Sequence, residues 1–219
     1  MASNPYTQLH RRLLQHYGPQ QWWPADGPFE VMVGAVLTQN TAWGNVEKAI
    51  ANLQAAGALA PEAILSLPEE ALAALIRPSG YFNIKARRLR NLCQWYQQHG
   101  ALAGLQQWET TSLRQALLGV NGVGPETADD ILLYAFARPV FVIDSYTRRI
   151  LSRLGVIQGD EGYESLRQQL EAAFEGDSQA VSIFNELHAL IVMHAKEHCR
   201  KRPYCEGCPL RSDCVYGDQ

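Results

Sequence analysis

Apolar and polar positions follow a helical pattern over most of the chain. Apolar residues recur three and four positions apart, which places them on one face of an α-helix, whereas the alternation typical of β-strands is nearly absent. The segments with this pattern are 28–50, 61–75, 85–96, 112–118, 127–136, 145–154, 163–174 and 178–198. Short joins rich in glycine and proline separate these segments, so the pattern predicts an all-α protein.

Composition and charge narrow the class of protein. Apolar residues make up 47% and charged residues 19% of the 219 positions, which indicates a folded globular chain and excludes a largely disordered one. Nineteen basic against twenty-two acidic residues give a formal charge of −3, which argues against coating nucleic acid by bulk charge but permits a local basic surface. The sequence has neither a secretory leader pattern nor an apolar run of about 20 residues, so we expect a soluble, cytoplasmic protein.

A glycine-rich turn separates two apolar helical stretches in segment 117–136, which reads LLGVNGVGPETADDILLYAF. Gly122 and Gly124 can adopt backbone angles that are closed to other residues, and Pro125 suits the first turn of the next helix. Backbone N–H groups at such a turn can hold a phosphate without a charged side chain. The turn predicts either a contact with the DNA backbone or, as the structural alternative, an ordinary connection with a glycine cap.

One carboxylate, Asp144, stands eighteen residues after Glu126, at the end of the apolar run 140–143 and before a helical segment. Aspartate is a favoured N-cap, so the structural interpretation of Asp144 is a helix cap. The glycine hairpin followed at this distance by an apolar run that ends in Asp resembles the helix-hairpin-helix (HhH-GPD) DNA glycosylases of the endonuclease III superfamily. The resemblance covers nearly the whole chain.

That resemblance implies a two-domain all-α fold. Its central helical bundle is residues 25–134, the helix-hairpin-helix is residues 112–136, and the second domain is residues 1–24 with 135–219. Asp144 would lie at the mouth of a pocket between the domains, where a carboxylate stabilises the oxocarbenium-like sugar that a departing base leaves. In members that also nick the strand, a lysine after the hairpin forms a Schiff base with the sugar. Glu126 stands at that position and cannot form the imine, so we expect a monofunctional enzyme that uses water.

Three further motifs resemble the 3-methyladenine DNA glycosylase III branch of this family. They are Trp-Trp-Pro at 22–24, Leu-Thr-Gln-Asn-Thr at 37–41 and Arg-Pro-Ser-Gly-Tyr-Phe-Asn at 77–83. The resemblance implies a base pocket lined by Trp22, Trp23, Pro24 and Trp43. It also implies that Gln39 enters the duplex where a base has left and that Tyr81 wedges into the opposite stack. The residues expected to contact DNA are Gln39, Asn40, Tyr81, Asn83, Lys85, Gly122, Val123, Gly124 and Thr127.

Physical chemistry favours an alkylated purine as the substrate of such a pocket. A base such as 3-methyladenine carries positive charge, and electron-rich indole faces attract a cation while stacking on it. Core packing is the structural alternative for each tryptophan. A basic stripe is expected either to contact phosphates or to form a solvated helix face. It consists of Lys85, Arg87, Arg88 and Arg90, joined by Arg148 and Arg149.

Four cysteines lie within sixteen residues near the end of the sequence, with the spacing Cys199-x5-Cys205-x2-Cys208-x5-Cys214. In a chain without a secretory leader, such a group is typical of a metal site and not of a disulfide framework. Four thiolates suit both Zn²⁺ and a [4Fe–4S] cluster, and the spacing alone does not choose between them. The resemblance favours the cluster, which endonuclease III relatives carry at this location with one more residue in the first gap.

These features predict a monomeric DNA N-glycosylase of base excision repair. It would flip a damaged base, most plausibly an alkylated purine, out of double-stranded DNA and hydrolyse its N-glycosidic bond. Three alternatives remain open. They are a bifunctional endonuclease III-like glycosylase and lyase acting on oxidised pyrimidines, a thymine mismatch glycosylase, and a lesion-binding protein without catalysis.

Overall fold

The structure is a computed structural model that describes residues 4–20, 22 and 25–216. All regular secondary structure in these ranges is helical, which confirms the all-α prediction. The α-helices are α1 (Pro5–Tyr17), α2 (Pro28–Leu37), α3 (Trp43–Ala55), α4 (Pro61–Ser66), α5 (Glu69–Leu75), α6 (Phe82–Gln98), α7 (Ala101–Leu105), α8 (Thr110–Leu118), α9 (Pro125–Asp130), α10 (Ser145–Arg153), α11 (Tyr163–Ala172) and α12 (Ala180–Glu197). Shorter helical turns are the 3₁₀ turns Arg77–Ser79 and Arg211–Asp213 and the π turn Ile131–Ala135.

The structure divides two of the predicted segments. Segment 28–50 contains the end of α2 at Leu37 and the start of α3 at Trp43, and Asn40 between them has a left-handed φ of 53°. Segment 61–75 is broken at Pro68, because the residue before a proline avoids helical angles and Leu67 is extended. Helices α1 and α7 were not among the predicted segments.

The chain separates into two compact units. We refer to residues 23–138 as the hairpin unit and to residues 1–22 with 139–219 as the aspartate unit. No helix in the described part of the chain is both long enough and apolar enough to cross a membrane.

Helix α2 forms the centre of the hairpin unit. Every residue from Val31 to Leu37 is buried, as expected for a helix that is apolar on all sides. It packs against α3, α6, α9 and the π turn. The C-terminal end of α2 therefore lies beside the helix that follows the glycine turn.

Helix α12 organises the aspartate unit by packing against α1 and α10. The apolar run 140–143 is buried in this unit, and Phe141 meets Phe184 of α12 edge to face at 5.5 Å between ring centroids. The run ends at Asp144, which caps α10. The core of the unit thus fixes the backbone on which the predicted catalytic carboxylate lies.

Candidate functional site

The glycine turn joins α8 to α9 as the sequence predicts. The N–H of Val123 donates to the carbonyl of Val120 at 3.0 Å, and Pro125 begins α9. Gly122 has a φ of 99°, and a Cβ there would come within 2.2 Å of Cγ of Arg88. Glycine is required at this position both for its backbone angle and because the Arg88 side chain crosses it. Gly124 and Glu126 are exposed at the tip, whereas the side chains of Val123 and Thr127 are buried.

Gln39 links the end of α2 to the hairpin. Its Nε2 donates to the carbonyl of Gly122 at 3.1 Å and to Oγ1 of Thr127 at 2.9 Å. The guanidinium of Arg88 donates to Oε1 of the same amide. Three residues that were predicted separately to contact DNA, Gln39, Gly122 and Thr127, are therefore joined by hydrogen bonds. Arg88 holds this group together, a role that the charge pattern of the sequence did not indicate.

Two of the predicted DNA-contact residues have left-handed backbones. Asn40 has a φ of 53° and Tyr81 a φ of 46°, and both side chains are exposed, Tyr81 by 68%. Asparagine tolerates this conformation, but for a bulky residue such as tyrosine it costs energy and marks a candidate functional position. Asn83, in the first turn of α6, is also exposed.

Lys85 corrects one prediction. Its side chain is 1% exposed, and Nζ donates to the carbonyls of Leu37 at 2.8 Å and Ser79 at 2.7 Å. Burial, assisted by the nearby charge of Arg88, lowers the pKa of Lys85 to about 8. The ammonium satisfies carbonyls at the end of α2 and in the adjoining 3₁₀ turn, so it is not placed to contact a DNA phosphate.

Other members of the predicted basic stripe also donate to protein oxygens. Arg90 bonds the carbonyls of Ile64 and Leu67, and Arg148 and Arg149 bond the carbonyls of Glu161 and Cys199. Arg87 differs because its side chain is 62% exposed, with only a long 3.8 Å contact to Glu69. Within the stripe, Arg87 is the residue best placed to meet a phosphate.

Asp144 caps α10 with one carboxylate oxygen. Oδ1 accepts the backbone N–H of Thr147 at 2.7 Å, and the side chain remains 13% exposed. Oδ2 lies 3.7 Å from Nε2 of His188 on α12. Burial acts to raise the pKa of Asp144, but the imidazole of His188 and the N–H of Thr147 outweigh it and hold the pKa below its ordinary value. The carboxylate is thus ionised at neutral pH and partly open to solvent.

His188 is a residue that the sequence analysis did not single out. It shares the buried face of α12 with Phe184 and Ile191, which are four and three positions away, and is itself 6% exposed. A histidine on an apolar helix face is the signal that marks it, although the sequence does not show which residue it meets.

The predicted pocket residues are only partly described. Trp23 and Pro24 lie outside the described residues. Trp22 of the aspartate unit is half-buried, with Nζ of Lys196 5.5 Å from its ring centroid. Trp43 of the hairpin unit begins α3, is half-buried, and donates from Nε1 to Glu47 at 3.0 Å. Neither indole is fully buried in the core.

The four clustered cysteines line one cavity after α12. Cys199, Cys205, Cys208 and Cys214 are all free thiols and border this cavity together with Arg153. Burial raises the pKa of Cys208, a backbone N–H lowers it, and the three other thiols raise it again. The four cysteines therefore line a single site.

The donor set fits a group that binds four thiolates. Both Zn²⁺ and a [4Fe–4S] cluster take four thiolates, zinc on one ion and the cluster on separate irons, and the four cysteines that line this cavity offer them. Arg153 donates to Sγ of Cys199 at 3.2 Å, a contact of the kind that tunes metal ligands.

Taken together, an all-helical chain with a glycine hairpin, an apolar run and a partly open capping aspartate defines a DNA glycosylase of the helix-hairpin-helix class. Residues 33–175 match the model of the HhH-GPD superfamily base excision DNA repair proteins. The chain belongs to this superfamily, and it is an enzyme that hydrolyses N-glycosidic bonds of DNA.

Individual proteins show the same relationship. The Methanocaldococcus jannaschii protein named "Putative DNA repair glycosylase MJ1434" is 45% identical over 210 residues, which cover 94% of each chain. The crystal structure of H. pylori 3-methyladenine DNA glycosylase (MagIII) bound to 1,N6-ethenoadenine has a TM-score of 0.75 and 31% identity, covering 87% of this chain and 96% of that one. A non-covalent endonuclease III–DNA complex has a TM-score of 0.82 at 22% identity, covering 98% and 97%, which supports the fold.

Proposed function

We propose that this DNA glycosylase is monofunctional and releases alkylated purines, with Asp144 as its catalytic carboxylate. The observation that carries the proposal is the state of Asp144, a carboxylate with a lowered pKa that is fixed by a helix cap and still 13% exposed. An ionised carboxylate beside C1′ stabilises the positive charge that develops on the sugar as the base leaves. Water then adds to C1′, and the carboxylate accepts its proton.

Glu126 supports a monofunctional mechanism. It lies exposed in the first turn of α9, at the position where strand-nicking members of the family have a lysine. A carboxylate cannot form an imine with the sugar, so the reaction ends with an intact abasic site.

The choice of an alkylated purine is supported by two independent observations. Trp22 and Trp43 are half-buried indoles, and the electron-rich face of such a ring attracts a cationic base. The 31% identical neighbour MagIII is a 3-methyladenine DNA glycosylase. A cationic base is a good leaving group and needs no strong general acid, which matches a site built around one carboxylate.

Residues of the hairpin unit are proposed to bind the duplex. The turn with half-buried Gly122 and exposed Gly124 offers backbone N–H groups to a phosphate, Gln39 fills the space of the extruded base, and Tyr81 wedges into the opposite stack. Cys199, Cys205, Cys208 and Cys214 are proposed to hold a [4Fe–4S] cluster, which supplies a cross-link between the final loop and the end of α12.

A panel of damaged duplexes tests the substrate. Duplexes carrying 3-methyladenine, another alkylated purine, an oxidised pyrimidine or a thymine mismatch are incubated with the enzyme, and released bases are identified by mass spectrometry. We expect release of the alkylated purines only. Release of the oxidised pyrimidine or of thymine would show that the proposed substrate class is wrong. Binding without release of any base would identify a lesion-binding protein.

Borohydride trapping tests the monofunctional mechanism. Borohydride reduces an imine between enzyme and DNA to a stable covalent adduct. Endonuclease III serves as the positive control, because it should give this adduct. We expect the wild-type protein to give no adduct and to leave the abasic strand unbroken. A covalent adduct would show that another amine of the chain attacks the sugar.

A further inference from the structure

The contact between Asp144 and His188 joins the start of α10 to the middle of α12. Nε2 of His188 lies 3.7 Å from Oδ2 of Asp144, longer than a hydrogen bond but within the range of an ion pair when the imidazole is protonated. The other oxygen, Oδ1, is already held by the N–H of Thr147. Contacts of catalytic groups are often long without substrate and shorten when the complex forms.

The core of the aspartate unit fixes the imidazole. The ring of His188 is 6% exposed, and Phe141, in the run that leads to Asp144, meets it edge on at 6.2 Å between centroids. Phe141 is fully buried and packs against Phe184, one turn before His188 on α12. The position of the imidazole relative to the carboxylate is therefore set by packing that involves both elements.

Among the described residues, His188 is the titratable side chain with a contact to Asp144. Helix α12 packs against α1 and α10. The titratable groups of these two helices are Tyr6, His10, Arg11, Arg12, His16, Tyr17, Tyr146, Arg148, Arg149 and Arg153. Several have partners elsewhere: Arg12 contacts Asp213, Tyr17 contacts His194, and Arg148 bonds Glu161. Apart from burial, the groups that shift the pKa of Asp144 are His188 and Thr147.

We propose that His188 is a positioning residue for the catalytic carboxylate, holding Oδ2 of Asp144 while the Thr147 N–H holds Oδ1. This proposal rests on the proposed function of Asp144. Two fixed oxygens keep the carboxylate in one orientation toward the sugar, and the imidazole keeps it ionised in a largely buried place. His188 makes no bond to the substrate and accepts no atom from it.

Two variants at position 188 separate positioning from packing. His188→Leu retains an apolar shape without a polar atom, and His188→Gln retains an N–H donor that does not titrate. We expect His188→Leu to lower the single-turnover rate of base release by about 10- to 100-fold, the cost of a misplaced catalytic group. We also expect the acidic limb of the pH–rate profile of this variant to move to higher pH. Thr147 alone then opposes the effect of burial, so the pKa of Asp144 rises. His188→Gln should recover most of the rate at neutral pH.

A matched control comes from the hairpin unit. His99 also packs against aromatic rings, those of Trp95 and Trp108, and it does not belong to the proposed machinery. His99→Gln should leave the pH profile of base release unchanged. Equal losses of rate in His188→Leu and His188→Gln with an unmoved acidic limb would show a packing role only and would overturn the proposal.

A direct titration distinguishes this inference from the proposed function. The carboxyl carbon of Asp144 is followed by ¹³C NMR against pH in wild-type protein and in folded His188→Leu. We expect its pKa to rise in the variant, whatever the lesion specificity. An unchanged titration overturns the role of His188, whereas failure of wild-type protein to release any base overturns the proposed function alone.

Discussion

Two carboxylates in the two units show how differently the protein uses the same side chain. Asp129 in the hairpin unit is fully buried and receives two bonds from Arg114, from Nε at 2.6 Å and from Nη2 at 3.0 Å. Asp144 in the aspartate unit receives one short bond from Thr147, faces His188 at 3.7 Å and is 13% exposed.

The difference separates stability from chemistry. A carboxylate held bidentately by a guanidinium and closed to solvent is bound to its partner and stabilises the fold. A carboxylate that is oriented but still reachable can respond to charge that develops on a substrate. Substitutions in the hairpin unit should therefore change folding or DNA binding, and substitutions around Asp144 should change the rate of base release.

The largest effect on stability is expected for Asp129→Ala. The substitution removes the buried carboxylate that accepts two bonds from Arg114, whose side chain is 13% exposed. The free energy of unfolding, measured by urea denaturation, should fall by about 3–5 kcal/mol. As a control, Glu164→Ala removes a half-exposed partner of Arg167 and should cost less than about 1 kcal/mol. A large loss of single-turnover rate in folded Asp129→Ala would contradict the division of roles.

Lys85→Met should have the next largest effect. The carbonyls of Leu37 and Ser79 lose their donor, while the cost of burying a cation is relieved, so unfolding should become easier by about 2–3 kcal/mol. The affinity of folded variant for lesion DNA, and its dependence on salt, should match wild type. A shallower salt dependence would mean that Lys85 reaches a phosphate after all.

Gln39→Ala tests the binding of DNA by the hairpin unit. Removing the amide frees Arg88 and the carbonyl of Gly122, and it removes the group proposed to fill the duplex. The Kd for a duplex with an abasic-site analogue should rise roughly tenfold, equal to about 1.4 kcal/mol. Gln97→Ala is the matched control, because Gln97 lies in the same unit, donates to the exposed Glu62 and is not among the proposed DNA contacts, so the Kd should not change.

The smallest change in stability is expected for Tyr81→Gly. This variant also separates the stability of the protein from its binding of DNA. Glycine relieves the left-handed backbone at φ 46°, so the free energy of unfolding should rise by about 0.5–1 kcal/mol after the entropy of the unfolded chain is included. Affinity for lesion DNA should fall, since the wedge is lost. Ala137→Gly relieves a similar φ of 51° and should stabilise the protein without weakening DNA binding.

The sequence predicted those features that depend on local chemistry. The period of apolar positions indicated the helices, the glycines indicated the turn between α8 and α9, and the apolar run ending in Asp indicated the cap of α10. Each of these signals lies within a few residues of the structure that it specifies.

Features that depend on distant partners were missed. Lys85 lies on the buried face of α6 with Leu89 and Leu92, a position that marks it as unusual, but one of its two acceptors, the carbonyl of Leu37, belongs to a helix end 48 residues earlier. His188 meets Asp144 across 44 positions of the chain. Such pairs depend on how helices pack, which spacing along one helix does not reveal.

The central claim is that Asp144 performs the chemistry and does not merely cap α10, and Asp144→Asn tests it most directly. Asparagine is an equally good N-cap, so the fold and the Kd for abasic-analogue DNA should be preserved. Single-turnover release of 3-methyladenine should fall by at least about 100-fold, because a neutral amide does not stabilise the charged sugar. A folded Asp144→Asn protein that binds DNA normally and releases the base at the wild-type rate would contradict the account.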